Sequence, residues 1–256
     1  MIDRNRFLLV ELVRRDIEQR YRGSALGLLW SFVEPAWQLL LFTFVFSLVL
    51  RVGLPGEATD SFPIFLFAGL IAWSPLRNGA ERATTAIVDS AAMIKNHRFP
   101  ASLFVVAAVL GEVVHGAIAA LIFVAVLLVV GGLAVWNLAL LLLAMPLQAL
   151  LAVGIALPAS AVQVYARDVR RGIGLAMNTW FYLTPVVYPV ALVPDRFRWA
   201  INANPMTGLV SLYRTAFLGG EVLWQPILAL IVETAAVLLL GWLTFHRLEP
   251  GFVDEI

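Results

Sequence analysis

The chain has 256 residues, 61% of them hydrophobic and 14% charged, with a formal net charge of +1. That balance excludes a water-soluble domain of this length, and the absence of cysteine excludes a disulfide framework, a thiolate metal site and a cysteine nucleophile. The apolar runs are continuous and lack the alternation of barrel strands, so the backbone must satisfy itself in lipid as helices. The predicted fold is an all-α integral membrane protein.

In chain order, residues 1–29 form an interfacial segment. Phe7, Val10, Val13, Ile17 and Tyr21 recur at helical spacing, while Arg6, Arg14, Arg15, Glu18 and Arg20 occupy other faces. Such a helix lies in the membrane interface with its arginines toward head groups. Residues 30–256 then form one transmembrane domain. Crossing the hydrocarbon core takes about 20 residues, and six spans are expected: Trp30 to Leu50, Phe62 to Val88, Leu103 to Val130, Asn137 to Val164, Gly172 to Tyr188 and Gln225 to Phe245. Arg4, Arg6, Arg14, Arg15, Arg20 and Arg22 precede the first span. Lys95 and Arg98 follow the second, Arg167, Arg170 and Arg171 follow the fourth, and Arg247 follows the sixth. The opposite side holds Arg51, then Arg196, Arg198 and Arg214 in one long connection. The positive-inside rule places both termini in the cytoplasm, and an even number of spans puts them on the same side.

Two connections are unusual. Residues 89–100 start with helix-capping residues and end at Pro100, which predicts a short cytoplasmic helix under the membrane with Met93, Ile94 and Phe99 available to a partner. Spacing alone also permits an ordinary basic loop. Residues 189–224 contain Pro194, Asn204-Pro205 and Gly219-Gly220 between apolar pieces too short to span and too apolar for a solvated loop. Short re-entrant helices before the last span fit that pattern.

Ionisable residues inside spans face a cavity or a partner. Arg77, Glu81 and Arg82 lie on the second span, Glu112 and His115 share a face of the third, Glu34 lies on the first and Glu233 in the sixth. Glu112 with His115 reads either as a proton relay or as structural pairing between helices, and the latter is preferred. No third ligand stands at metal-binding spacing. Aromatic residues crowd the first span (Trp30, Phe32, Trp37, Phe42) and the fifth (Trp180, Phe181, Tyr182, Tyr188). They read either as a sugar-stacking surface or as lipid-facing bulk. There is no G-x-x-x-x-G-K-[ST] loop, so the chain has no P-loop for ATP.

Five motifs occur in register: Arg20-Tyr21-Arg22 with Leu26-Gly27, Trp30 and Pro35; Ile94-Lys95 with Phe99-Pro100; Tyr165-Ala166-Arg167-Asp168-Val169; Thr184-Pro185-Val186-Val187-Tyr188-Pro189; and Asn204-Pro205-Met206-Thr207-Gly208-Leu209. Together they resemble the membrane subunits of type-2 ABC exporters for polysaccharide or polyol phosphate, the group of the O-antigen and teichoic acid permeases. The resemblance covers nearly the whole chain. It implies a homodimer in the bacterial cytoplasmic membrane, two copies of a separate ATP-binding subunit that holds ATP and magnesium, and an undecaprenyl-linked glycan as substrate. It also implies no enzymatic activity, and no cofactor, in this chain. By the same resemblance the segment 89–100 is the coupling helix, with Met93, Ile94, Lys95, Phe99 and Pro100 toward the ATPase subunit, joined by Arg167, Asp168 and Arg170 of the next cytoplasmic loop. The first and fifth spans, with their aromatics, then line the conduit. Arg20, Tyr21, Arg22 and Gly27 form the gate at the lipid head group, since guanidinium forks bind phosphate oxygens in bidentate fashion. For the two arginines, plain positive-inside anchoring is the other reading. A permease for drugs or small lipids and an intramembrane enzyme acting on polyprenyl-linked sugars are the alternative functions.

Overall fold

The computed structural model describes residues 2–21, 29–49, 53–97 and 99–255, and among these no strand occurs. The helices run in the order α1 (Ile2–Tyr21), α2 (Trp30–Phe42, continued as a π-helical segment over Thr43–Val49), α3 (Phe62–Asp89), α4 (Ala91–His97), α5 (Ala101–Val130), α6 (Leu141–Tyr165), α7 (Val169–Leu183), α8 (Asp195–Asn202), α9 (Pro205–Leu218), α10 (Trp224–Leu248) and α11 (Phe252–Glu255). Among the described residues, three stretches are long and apolar enough to cross a membrane: Ala101–Val130, Val135–Tyr165 and Trp224–Gly251. α3 matches them with 28 residues but carries Arg77, Glu81 and Arg82 in its second half. Large apolar side chains such as Leu40, Leu121, Leu175, Leu228 and Val232 lie exposed on α2, α5, α7 and α10. Water does not tolerate such surface over so many helices, whereas lipid does.

Local chemistry sets the ends. α5 begins after Pro100 and stops at Gly131, whose left-handed φ of 83° lets both Gly131 and Gly132 donate to the Leu127 carbonyl. α9 is capped by Asn204, whose Oδ1 accepts from the Met206 N–H at 3.0 Å with Pro205 in the first turn. α7 is shorter than the stretch expected from Gly172 to Tyr188. It ends at Leu183 because Pro185 disfavours helical geometry at Thr184, which is extended at φ −103° and ψ 137°.

α3 is the centre of the bundle, packed by α5, α6, α7 and α9, with Phe65, Leu66, Trp73 and Leu76 fully buried. Its Pro75 has no N–H to give the Ile71 carbonyl one turn back. Gln148 of α6 fills that vacancy: its Nε2 donates to Ile71 O at 3.0 Å and to Ala72 O at 2.7 Å. Tyr213 of α9 then donates its hydroxyl to Gln148 Oε1 at 2.7 Å, completing a buried polar node across three helices. The Pro75 ring seats on Gly116 of α5, where an added Cβ would collide with it. Because burial makes an unfilled carbonyl and an unpaired hydroxyl costly, Gln148→Leu should lower stability by about 1–3 kcal/mol. Thermal unfolding of the purified variant checks this, and an unchanged midpoint would refute the node.

α9 belongs to the connection between α7 and α10, yet it is not a solvated loop. Met206, Leu209, Val210, Tyr213 and Phe217 are all buried, and Phe217 meets Phe123 of α5 edge-on at 5.0 Å. Arg214, counted from sequence among the charges of that outer connection, is likewise buried, at 8% exposure.

Candidate functional site

A cavity of about 820 Å³ opens between α2, α3, α5 and α7. α2 contributes Trp37 and Gln38. α3 contributes Trp73, Ser74, Arg77 and Asn78, α5 contributes Glu112 and His115, and α7 contributes Asn178, Phe181 and Tyr182. Spacings of three and four residues put the α3, α5 and α7 sets each on one helical face. The rings form a connected surface: Trp73 lies 5.5 Å from Phe181, and Phe181 lies 5.3 Å from Tyr182 at 78°. Trp37 and Tyr182 are 62% and 71% exposed, so they stand at the open side, while Trp73 sits at the back at 2%.

The polar wall carries fixed charge. Arg77 Nε lies 2.9 Å from Glu81 Oε1 along α3, and Arg82 Nη1 lies 3.3 Å from Glu112 Oε1 across α3 and α5. Glu112 is 1% exposed, and a carboxylate that deeply placed requires a cation partner. The preferred sequence reading, pairing between helices, therefore describes Glu112, and Arg82 is the group it pairs with. Amides and a hydroxyl (Gln38, Asn78, Asn178, Ser74) supply donors and acceptors between the rings and the charges. Aromatic faces beside amide and charged edges suit a polyhydroxylated ligand with apolar C–H faces.

The structure brings Trp37, Phe181 and Tyr182 together in this cavity and gives other candidates different surroundings. Trp180 stands edge-on to Trp73 at 5.7 Å, and its Nε1 donates to Asn204 Oδ1 at 2.9 Å, which ties α7 to the start of α9. Tyr188 donates to the Tyr182 carbonyl at 3.2 Å. Trp30 is exposed at the start of α2. Arg22 and Gly27 lie outside the described residues, as do the side chains of Arg20, Tyr21, Phe32 and Phe42. In the 89–100 segment, Ile94 is buried in the chain's own core and Phe99 packs against that core, so both face inward more than a docking knob would. Met93 is half-buried, and Lys95 and Pro100 are exposed. Arg167 and Asp168 are exposed; Asp168 pairs with Arg171 at 3.8 Å. Arg170, also exposed, donates its backbone N–H to Gln163 Oε1 at 2.8 Å.

Sequence reasoning passed over Trp73, Asn78 and Asn178. The available signal was polar side chains within otherwise apolar runs, which are costly in lipid unless they face a cavity or a neighbour.

A helical membrane chain with an aromatic and polar cavity among its helices has the form of a transport subunit. The family model described as ABC-2 type transporter matches residues 8–218, and the chain belongs to that family. It is similar to the O-antigen export system permease protein RfbA of Klebsiella pneumoniae, 28% identical over 96% of this chain and 94% of that protein. A protein of the same description from Myxococcus xanthus is 26% identical over 98% and 96%. The polysialic acid transport protein KpsM of Escherichia coli is 24% identical over 82% and 81%.

Proposed function

We propose that this chain is the permease subunit of an ATP-driven exporter that moves a polysaccharide, carried on a polyprenyl pyrophosphate lipid, across the bacterial inner membrane. Six spans cross that membrane, with α2 and its π-helical continuation as the first and α7 as the fifth. Both termini lie in the cytoplasm, α4 is the contact to the ATPase subunit, and α8 and α9 form the outer re-entrant region. Two copies of the chain work with two copies of an ATP-binding subunit that holds magnesium and nucleotide. Arg20, Tyr21, Arg22 and Gly27 form the entrance for the carrier lipid. The relatives' export roles and the match to them along almost the full length support this reading.

The observation that carries it is the cavity in which Trp37, Trp73, Phe181 and Tyr182 face Asn78, Asn178 and Gln38. A long glycan has to slide, so each contact must be weak and the set must be continuous. Stacking on an aromatic ring contributes about 0.5–1.5 kcal/mol beyond area burial. Replacing Trp37, Phe181 or Tyr182 singly with alanine should therefore lower export about two- to tenfold. The triple variant should export only short chains while still assembling with its ATPase and hydrolysing ATP. Normal export of full-length glycan by a folded triple variant would assign those rings to the lipid-facing surface.

A further inference from the structure

A second cavity, of about 520 Å³, lies at the α4 end of the bundle, walled by α1, α3, α4, α5 and α7. Its lining differs in kind from that of the first. Arg15 enters from α1, Arg82 from α3 and Arg170 from α7, above an apolar floor of Phe104, Ala107 and Ala108 on α5. We propose that this cavity is an anion site that takes a phosphate or pyrophosphate group, with Arg15 and Arg170 as its principal ligands.

The case rests on which charges already have partners. Arg15 Nη1 lies 3.6 Å from Met93 Sδ, a weak acceptor that does not neutralise a guanidinium. The Arg170 guanidinium has no hydrogen-bond or ion-pair partner among the described residues, although its backbone N–H is held by Gln163. Arg82 pairs with Glu112 at 3.3 Å. On the acidic side, Glu81 is engaged by Arg77 at 2.9 Å, which leaves Asp89, exposed at the end of α3, as the opposing carboxylate. Among the described residues, two guanidiniums from different helices therefore border the space with one exposed carboxylate left to oppose them. Planar forks of this kind match phosphate oxygens.

The apolar floor adds a second property. A free inorganic anion gains nothing from Phe104 and Ala108, whereas the first isoprene units of a lipid-linked pyrophosphate do. α1 also shows Phe7 and Val10 to the outside at 70% and 67% exposure, as a helix lying at the membrane surface does. The cavity beside it is thus at head-group depth. This step rests on the export reading above, because the lipid-linked substrate is what brings such a group here. Met93 both lines the cavity and touches Arg15, so a bound head group that draws Arg15 away also changes a contact on α4.

The test uses the full-length chain in phosphatidylcholine nanodiscs, with inorganic pyrophosphate and farnesyl pyrophosphate as separate calorimetric probes. Both should bind, and Arg15→Gln with Arg170→Gln should weaken both at least tenfold, with partial recovery in the Arg15→Lys, Arg170→Lys pair. Tighter binding of the farnesyl compound assigns the site to a lipid head group; equal binding assigns it to free pyrophosphate. Should the double glutamine variant not fold, pyrophosphate must instead shield Arg15 and Arg170 of the wild-type chain from phenylglyoxal, read by mass spectrometry. No binding to the wild type, binding untouched by the arginine changes, or no shielding overturns the proposal. The assay involves neither ATP nor glycan, so its failure leaves the export reading to the aromatic variants.

Discussion

A chain carrying Gly241→Val is expected not to accumulate in the membrane as a folded protein. Gly241 of α10 faces Gly154 of α6 with no side chain between them. A Cβ on Gly241 would collide with the Gly154 carbonyl oxygen and lie 3.2 Å from Pro158 Cδ. Reciprocally, a Cβ on Gly154 would lie 2.8 Å from the Leu238 backbone nitrogen and 2.9 Å from its Cα. The obstacle on each side is backbone, which cannot rotate aside as a side chain can, so the two helices must separate along their length. Lipid supplies no hydrophobic force to hold them, because association in the bilayer relies on close packing. Overpacking costs about 1–3 kcal/mol when side chains adjust, and this contact should lie at or beyond the top of that range. Gly241→Ala already introduces the clash and should lower the thermal midpoint. Gly172→Ala, with nothing within 4 Å of the added carbon, should not. A wild-type melt for Gly241→Val would mean that α6 and α10 do not cross at these glycines.

The next largest effect should come from Arg214→Met. Arg214 of α9 donates from Nη2 to the Val186 carbonyl at 2.8 Å, just beyond the end of α7. Its Cζ stands 3.5 Å over the Phe65 ring of α3. One side chain thus binds the connection after α7 and the start of α3 to the helix that follows. A desolvated cation–π contact contributes about 2 kcal/mol and a hydrogen bond from a charged donor about 1.5–3 kcal/mol, so a loss of roughly 3 kcal/mol is expected. Arg214→Lys should fall between, since an ammonium keeps the charge but not the stacked plane or the fork. Glu57, half-buried on the connection before α3, shares the outcome: burial pushes its carboxyl upward and Arg214 pulls it back down. Without Arg214 the folded-state pKa of Glu57 rises further above its unfolded value. The Glu57 part of the deficit should therefore be absent below the ordinary carboxylate pKa and grow as pH rises through the raised one, on top of the pH-independent loss of the two contacts. Adding Glu57→Gln should recover part of the deficit at neutral pH. Thermal unfolding as a function of pH reads all of these, and a pH-independent deficit would refute the link to Glu57.

Neither residue was conspicuous in sequence. Gly154 and Gly241 are two of 18 glycines, and spacing does not tell a crossing glycine from one facing open space, such as Gly172. Arg214 falls between apolar pieces in a connection and was counted with Arg196 and Arg198 as an outer charge; its burial depends on α3 and the Thr184–Val186 turn meeting around it. Capping and proline geometry act within a few residues, so Asn204-Pro205 marked the start of α9, and Pro185, which the expected stretch to Tyr188 ran past, held the signal for the end of α7.

What the sequence determined by itself is local or compositional. The excess of apolar residues requires lipid, the length of each run bounds a helix, and the motifs in register carry the transporter family. Those properties depend on neighbours along the chain and survive without tertiary contacts. The tertiary structure alone decided which polar groups converge. It set Trp73 beside Phe181, gave Glu112 to Arg82 and the Ile71 carbonyl to Gln148, and turned Arg15 and Arg170 toward one cavity. Each pairing joins helices distant in sequence, and it exists only once a crossing angle and a rotation about each helix axis are set by packing.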